Sequence, residues 1–157
     1  MNGSFRLTVI AVASSLSLSL AAPMLAQSGP YQFHAITPCR IFDSRVDGDG
    51  ATPLANGLHS VRVQGVCGVP SGAKAAALNV TVVSPNRDGH IVLWPAGGSE
   101  PTVSTLNFLA GEPALANGAI VPLGTGAGGA DDLSYRYSMA VTPGTGHIVF
   151  DVTGYFQ

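Results

Sequence analysis

Leu78-Asn79-Val80-Thr81-Val82-Val83-Ser84-Pro85-Asn86-Arg87-Asp88-Gly89-His90-Ile91-Val92 is the stretch whose reading decides the fold class. Apolar Leu78, Val80 and Val82 alternate with polar Asn79 and Thr81, the period of two that sends neighbouring side chains to opposite faces of a strand. Pro85 cannot donate to a ladder, so the strand ends at Ser84-Pro85. Asn86, Asp88 and Gly89 supply turn chemistry, and His90-Ile91-Val92 resumes an extended pattern. The same order recurs as Ala140-Val141-Thr142-Pro143-Gly144-Thr145-Gly146-His147-Ile148-Val149. Two copies are too few for a solenoid; they predict a pseudo-symmetric pair of hairpins within one sandwich.

Outward from that stretch, short alternating pieces recur between turn signals. They are Tyr31–Ile36, Cys39–Asp43, Leu58–Val66, Ala75–Val83, His90–Trp94, Thr102–Phe108, Ala119–Leu123, Leu133–Val141 and His147–Val152. In the eighth of these Tyr135, Tyr137, Met139 and Val141 share one face. The 157 residues include 20 Gly and 11 Pro, a breaker density that excludes a helical bundle. The pattern predicts an all-β chain: an antiparallel β-sandwich, jelly-roll or Ig-like, of about nine short strands. With 46% hydrophobic and 10% charged residues the chain is not of the disordered type. Formal net charge is −2 and no basic run exists, so nucleic acid and anionic membranes lack an electrostatic footprint.

Arg6, the apolar stretch Leu7–Ala22 and the small residues Ala21, Ala22 and Ala26 follow the order of a secretory signal. Residues 1–26 are read as that signal and 27–157 as one β-sandwich domain. Cleavage after Ala21 places Ser19 at the −3 position, a better fit than Met24 for cleavage after Ala26. The stretch is short and polar for a span of about 20 predominantly apolar residues. The expectation is therefore a secreted protein, or one at the extracellular surface, with no membrane span in the mature chain. An oxidising compartment favours a bridge between Cys39 and Cys67, the two cysteines present. Two buried thiols or half of a metal site are the alternatives, the latter without a C-x-x-C spacing or a nearby His.

Catalytic signatures are sparse. There is no Gly-x-Ser-x-Gly elbow and no His-Glu-x-x-His, so the chain is read as a non-enzyme without a cofactor. His34, His59, His90 and His147 are scattered, although His90 and His147 hold equivalent places in the two repeats. Asp47-Gly48-Asp49-Gly50 offers the i, i+2 oxygen spacing of calcium loops, but the following residues supply little beyond Asn56. Turn chemistry accounts for Asp47 and Asp49 without an ion. Asn79-Val80-Thr81 fits a glycosylation sequon placed mid-strand. Trp94 suits either sugar stacking or sheet-end packing. Gly124–Asp132 reads as a mobile Gly-rich loop ending in an acidic pair.

Charge is densest in Thr37-Pro38-Cys39-Arg40-Ile41-Phe42-Asp43-Ser44-Arg45. A carboxylate between two guanidiniums, among apolar neighbours, predicts a partly buried ion network of Arg40, Asp43 and Arg45, with Asp151 as a fourth member. The favoured role is a clamp joining the first and last strands; an acid–base site is the other. Were the pair fully desolvated, removing one partner would destabilise by roughly 3–5 kcal/mol.

That opening resembles the Thr-Pro-x-Arg-x-x-Asp-Thr/Ser-Arg start of a family of secreted bacterial domains. Cys67-Gly68-Val69-Pro70, Leu78-Asn79-Val80-Thr81-Val82, Ser104-Thr105-Leu106-Asn107-Phe108 with Ala110-Gly111, and Asp151-Val152-Thr153-Gly154-Tyr155-Phe156 extend the resemblance over about Tyr31–Gln157. It implies bacterial export and a non-catalytic β-domain, found alone or appended to exported hydrolases and cell-surface proteins. It supplies no substrate and no catalytic residues, and the Asp47–Gly50 loop is not part of its pattern. The function expected is an extracellular or cell-surface module binding an unidentified glycan or protein, or making surface contacts. The alternative is a self-assembling subunit that adds Tyr31–Ile36 to a neighbour's sheet edge. A third class is a small exported hydrolase using Asp43 or His147.

Overall fold

The computed structural model describes residues 30–46, 52–125 and 131–157. The signal reading on 1–26 and the calcium candidates Asp47 and Asp49 lie outside the described residues. Nine strands follow in order: β1 Phe33–Asp43, β2 Leu54–Ala55, β3 Gly57–Val61, β4 Ala75–Val83, β5 Gly89–Pro95, β6 Leu106–Phe108, β7 Leu115–Pro122, β8 Leu133–Met139 and β9 Thr145–Phe156. One sheet has the order β1-β9-β4-β7, with the short β2 also on β9. The other has the order β3-β8-β5-β6. All pairings are antiparallel.

With β2 set aside, the pairs β1·β9, β3·β8, β4·β7 and β5·β6 are nested. They are the rungs of one long hairpin whose tip lies between β5 and β6. Rolling that hairpin up brings β9 beside β4 and β8 beside β5, and closes two sheets over one core. This is the jelly-roll solution of the sandwich. The Ig-like option is set aside by the same pairing.

Alternation places the core. β4 buries Ala76, Leu78, Val80 and Val82, β9 buries Ile148, Phe150 and Val152, and β8 buries Leu133, Tyr135, Tyr137 and Met139. Tyr135 meets Phe150 edge-on at 5.0 Å between ring centroids and tilts against Phe42 at 6.1 Å, so the sheets are joined through aromatic rings. Val141, grouped by alternation with those tyrosines, lies beyond the end of β8 and is exposed.

The two Ser/Thr-Pro repeats are not hairpins. Residues 84–88 carry the chain from β4 in the first sheet to β5 in the second, and residues 140–144 carry it back from β8 to β9. Alternation and proline mark where a strand stops. They do not say whether the chain folds back in plane or arches across the core. The two arches lie side by side: the Asn86 and Thr145 main-chain N–H groups donate to Thr145 O at 2.9 Å and to Asn86 Oδ1 at 2.8 Å. Ala140 N–H donates to Asp88 O at 2.8 Å. Gly146 must be glycine, because a Cβ there would run into the Tyr137 hydroxyl and Pro85.

Other boundaries moved for local reasons. Tyr31–Ile36 and Cys39–Asp43 join as β1, with register shifts between Ala35 and Cys39 around Pro38. Leu58–Val66 shortens to β3, since the chain turns through positive φ at Gly65, Cys67 and Gly68. Only Leu106–Phe108 of Thr102–Phe108 pairs, whereas β7 starts earlier, at Leu115, and runs through Asn117 and Gly118. β9 outlasts His147–Val152, running from Thr145 to Phe156.

The acidic pair read as a loop end divides in two. Asp131 is exposed and accepts a hydrogen bond from Ser60 Oγ. Asp132 is fully buried, and its carboxylate accepts Val63 N–H at 2.9 Å and Gln64 N–H at 2.7 Å. Its carbonyl accepts Ala96 N–H and Gly124 N–H. Burial pushes the Asp132 carboxyl up, and the two amide donors pull it back down. Asp132→Ala leaves both donors without their acceptor and is expected to destabilise by about 1–3 kcal/mol per orphaned group. Asp131→Ala is expected to stay within about 0.5 kcal/mol of the parent. Chemical denaturation of the two variants checks the contrast.

Candidate functional site

β1 and β9 bring the four charged residues together. Arg40 stands opposite Asp151 in the β1·β9 register, and Asp43 follows three residues on. Arg40 Nε donates to Asp151 Oδ1 at 2.8 Å and Nη2 to Oδ2 at 3.3 Å, while Nη1 reaches Asp43 Oδ2 at 2.9 Å. Arg45 approaches Asp43 from the other side: Nε to Oδ1 at 2.8 Å, Nη2 to Oδ2 at 2.7 Å, and its own N–H to Oδ1 at 3.0 Å. The hydrogen bonds from Arg45, then the charges of Arg45 and Arg40, hold the Asp43 carboxyl well below the usual carboxylate range against the opposing effect of burial.

The network is not desolvated throughout. Asp43 is 3% exposed, but the Arg40 and Arg45 side chains are 48% and 42% exposed. Loss of Asp43 leaves two guanidiniums that water can still solvate, so the 3–5 kcal/mol figure for a desolvated pair is too large here. Immediately beside the network, the bridge Cys39–Cys67 ties β1 to the turn that follows β3, at a Cα separation of 5.9 Å.

Ser44 and His147 form a contact that sequence reasoning missed: Ser44 Oγ lies 3.1 Å from His147 Nδ1. A Ser–His contact beside Asp43 has the composition of a hydrolase site but not its access. Ser44 is fully buried, its Oγ accepts Ile148 N–H at 3.0 Å, and its N–H donates to Ile148 O. The hydroxyl secures the end of β1 to β9. Asp43 is enclosed by its arginines, which leaves the acid–base reading of this cluster without a free carboxylate oxygen.

The remaining candidates separate. His90 sits on β5 and His147 on β9, in different sheets, each next to a buried isoleucine (Ile91, Ile148) and so turned away from the shared core on opposite outer faces. His34 stacks on Tyr155 and His59 on Tyr135. Trp94 is 6% exposed, with the loop through Gly98 beside it, and packs at the sheet end. Asn79 lies on β4, an inner strand flanked by β9 and β7. Among the described residues no three of His, Cys, Asp and Glu are grouped to hold a metal ion, and no helix is long and apolar enough to cross a membrane.

The segment Tyr31–Ile36, offered above as a donor strand, pairs within its own chain: Phe33, His34 and Ala35 stand opposite Phe156, Tyr155 and Gly154. Exposed apolar side chains gathered around a cleft lie at the far edge of that sheet. β7 has β4 on one side and no strand on the other. Beside it opens a cleft of about 360 Å³, lined by Trp94, Pro101, Val103, Ile120 and Pro122 among others. Val103 is 69% and Ile120 66% exposed at its rim. No charged residue occurs in β7.

The protein is thus an antiparallel β-sandwich with a half-exposed ion cluster between its first and last strands and, at β7, a long uncharged edge. No family model matches the chain, and no curated protein matches it. Among solved structures it is similar to the Tobacco streak virus coat protein. The C2 crystal form aligns with a TM-score of 0.37 and 14% identity, over 84% of this chain and 90% of that one. The coat protein dimer aligns with a TM-score of 0.39 and 13% identity, over 79% and 85%.

Two outcomes follow from the cluster. Because folding depresses the Asp43 pKa, its contribution is present above the unfolded carboxyl value of about 4 and is lost as pH falls below it. Asp43→Asn should destabilise by about 1–3 kcal/mol near neutrality, and the deficit should shrink on acidification below about pH 4. Thermal melts across that range decide it; a deficit independent of pH overturns the ionic account. Reduction of Cys39–Cys67 should remove on the order of 3 kcal/mol, read as a fall in melting temperature with the sheet signal in circular dichroism retained below the transition.

Proposed function

We propose that this chain is an exported, non-catalytic β-sandwich module that works by contact with protein surfaces. The observation that carries the reading is the β7 edge: an eight-residue strand without charge, strand-paired on one side only and joined on the other through Asn117 Nδ2 to Thr105 O at 2.7 Å, with exposed Ile120 and Val103 around an apolar cleft. Natural edge strands are ordinarily blunted by charge, proline or bulges, and an edge left bare is a template for another chain. Contiguous exposed apolar surface points the same way.

Export rests on the charged–apolar–small order of residues 1–26 and on the resemblance to secreted bacterial domains; the Cys39–Cys67 bridge supports it, since such bridges belong to oxidising compartments. Protein is favoured over glycan as the contact at this edge, because sugar sites present an aromatic face and the exposed side chains around the cleft, Ile120 and Val103, are aliphatic. The hydrolase class is disfavoured by the sealed Ser44 hydroxyl and the enclosed Asp43.

The test is photo-cross-linking in the cell that exports the protein, with Ile120 replaced by a benzophenone amino acid and a control probe at exposed Leu58 on β3. Protein adducts at position 120, well above those at position 58, are expected. Absence of any protein adduct at 120 overturns the reading.

A further inference from the structure

We infer that the β7 edge is a two-fold self-pairing surface, through which two copies of this chain join into one continuous sheet of order β1-β9-β4-β7-β7-β4-β9-β1. The inference rests on the contact reading above and names its partner.

The four sheet edges are not equal. β1 carries Pro38 and Arg40, shifts register twice and is tethered at Cys39 by the bridge to Cys67. Each of these discourages strand addition. β3 has five residues and β6 has three, too short to hold a partner strand. β7 is an eight-residue strand that pairs with β4 from Leu115 to Pro122 without a register shift, and proline occurs in it only as the last residue. Gly118 near its middle faces open space, with nothing within 4 Å of a Cβ placed there. Among the described edges, β7 alone is long, regular and uncharged.

Lack of charge favours a second copy in particular. Two-fold pairing sets a strand against itself, so any charged residue near the axis meets its own like charge. In Leu115-Ala116-Asn117-Gly118-Ala119-Ile120-Val121-Pro122 that repulsion is absent. A two-fold surface must also contain both knob and hole, since each patch meets its own copy. Here the exposed Ile120 and Val103 stand at the rim of the cleft that β7 shares with Trp94 and Pro101. Each copy presents apolar knobs and the hollow that takes them.

An eight-residue strand is about 26 Å long. Two copies joined along it bury on the order of 1,000 Å² in total, below the range of stable specific interfaces and among weak, reversible ones. The main-chain hydrogen bonds of an added strand supplement that area. The dimer expected is therefore reversible and concentration-dependent.

Sedimentation of the purified protein over a range of concentrations tests this, together with two double variants. Gly118→Lys with Ile120→Lys places like charges across the axis and should weaken dimerisation at least about tenfold. Gly118→Ser with Ile120→Thr adds no charge and should dimerise far more readily than the lysine pair. Both substitute open or exposed positions, and equal melting temperatures confirm that both fold. Monomer–dimer behaviour lost only in the lysine pair, with adducts from position 120 mapping to β7 of a second copy, supports the inference. A dimer indifferent to the lysines, or open-ended polymers, overturns it. A monomer whose position-120 adducts are all with other proteins overturns self-pairing and leaves the contact reading standing; a monomer without protein adducts ends both.

Discussion

β9 is the strand on which the rest depends. It lies between β1 and β4, takes β2 at its start, and sends Ile148, Phe150 and Val152 into the core. Its partners lie from 64 residues earlier (Val83 opposite His147) to 123 residues earlier (Phe33 opposite Phe156), so chain closure entropy has to be met before any of these contacts form. Two kinds of interaction then hold it in register. Main-chain ladders and apolar side chains act along its length, and Ser44, Arg40 and Asp151 act on the β1 side, where the ladder is irregular.

Charge is used inside this molecule to fix geometry. Asp43 sits under two arginines that keep one face in water, so the carboxylate is neutralised without stripping the guanidiniums of solvent. That arrangement avoids most of the desolvation penalty of a closed pair. Asp132 works differently: it has no arginine bonded to it and accepts main-chain N–H groups, acting as a substitute for strand pairing where β3 has ended and the chain turns. Both carboxylates close gaps in backbone pairing, at β1 and after β3. Neither is left with the freedom that acid–base chemistry needs.

The same economy accounts for the edges. β1 is irregular because Pro38 interrupts it, and the bridge and ion cluster compensate for the lost ladder. β7 needs no such devices, because it pairs with β4 along its whole length without a register shift. A strand that is easy to pair on one side is easy to pair on the other. The uncharged edge follows from how β7 is made.

How far the chain is legible from its letters depends on the range of the interaction concerned. Alternation is local, and it located β4 to the residue and placed Tyr135, Tyr137 and Met139 on one buried face. The charge density around Asp43 was equally visible, and Asp151 could be joined to it as an apolar-flanked carboxylate on the last strand. The sheet to which each strand belongs was not legible. Both Ser/Thr-Pro segments read as hairpins and both are arches, because a proline ends a ladder in either case. Asp132 and Ser44 were missed for a related reason: each is polar in sequence and fully buried in space, satisfied by main-chain groups 68 to 104 residues away. Sequence by itself determined where most strands lie, roughly where they break and the chemistry available; their bounds and the short β2 came from the fold. Which edge stays open was decided only when the long hairpin rolled up, since an edge is defined by the neighbours a strand does not have.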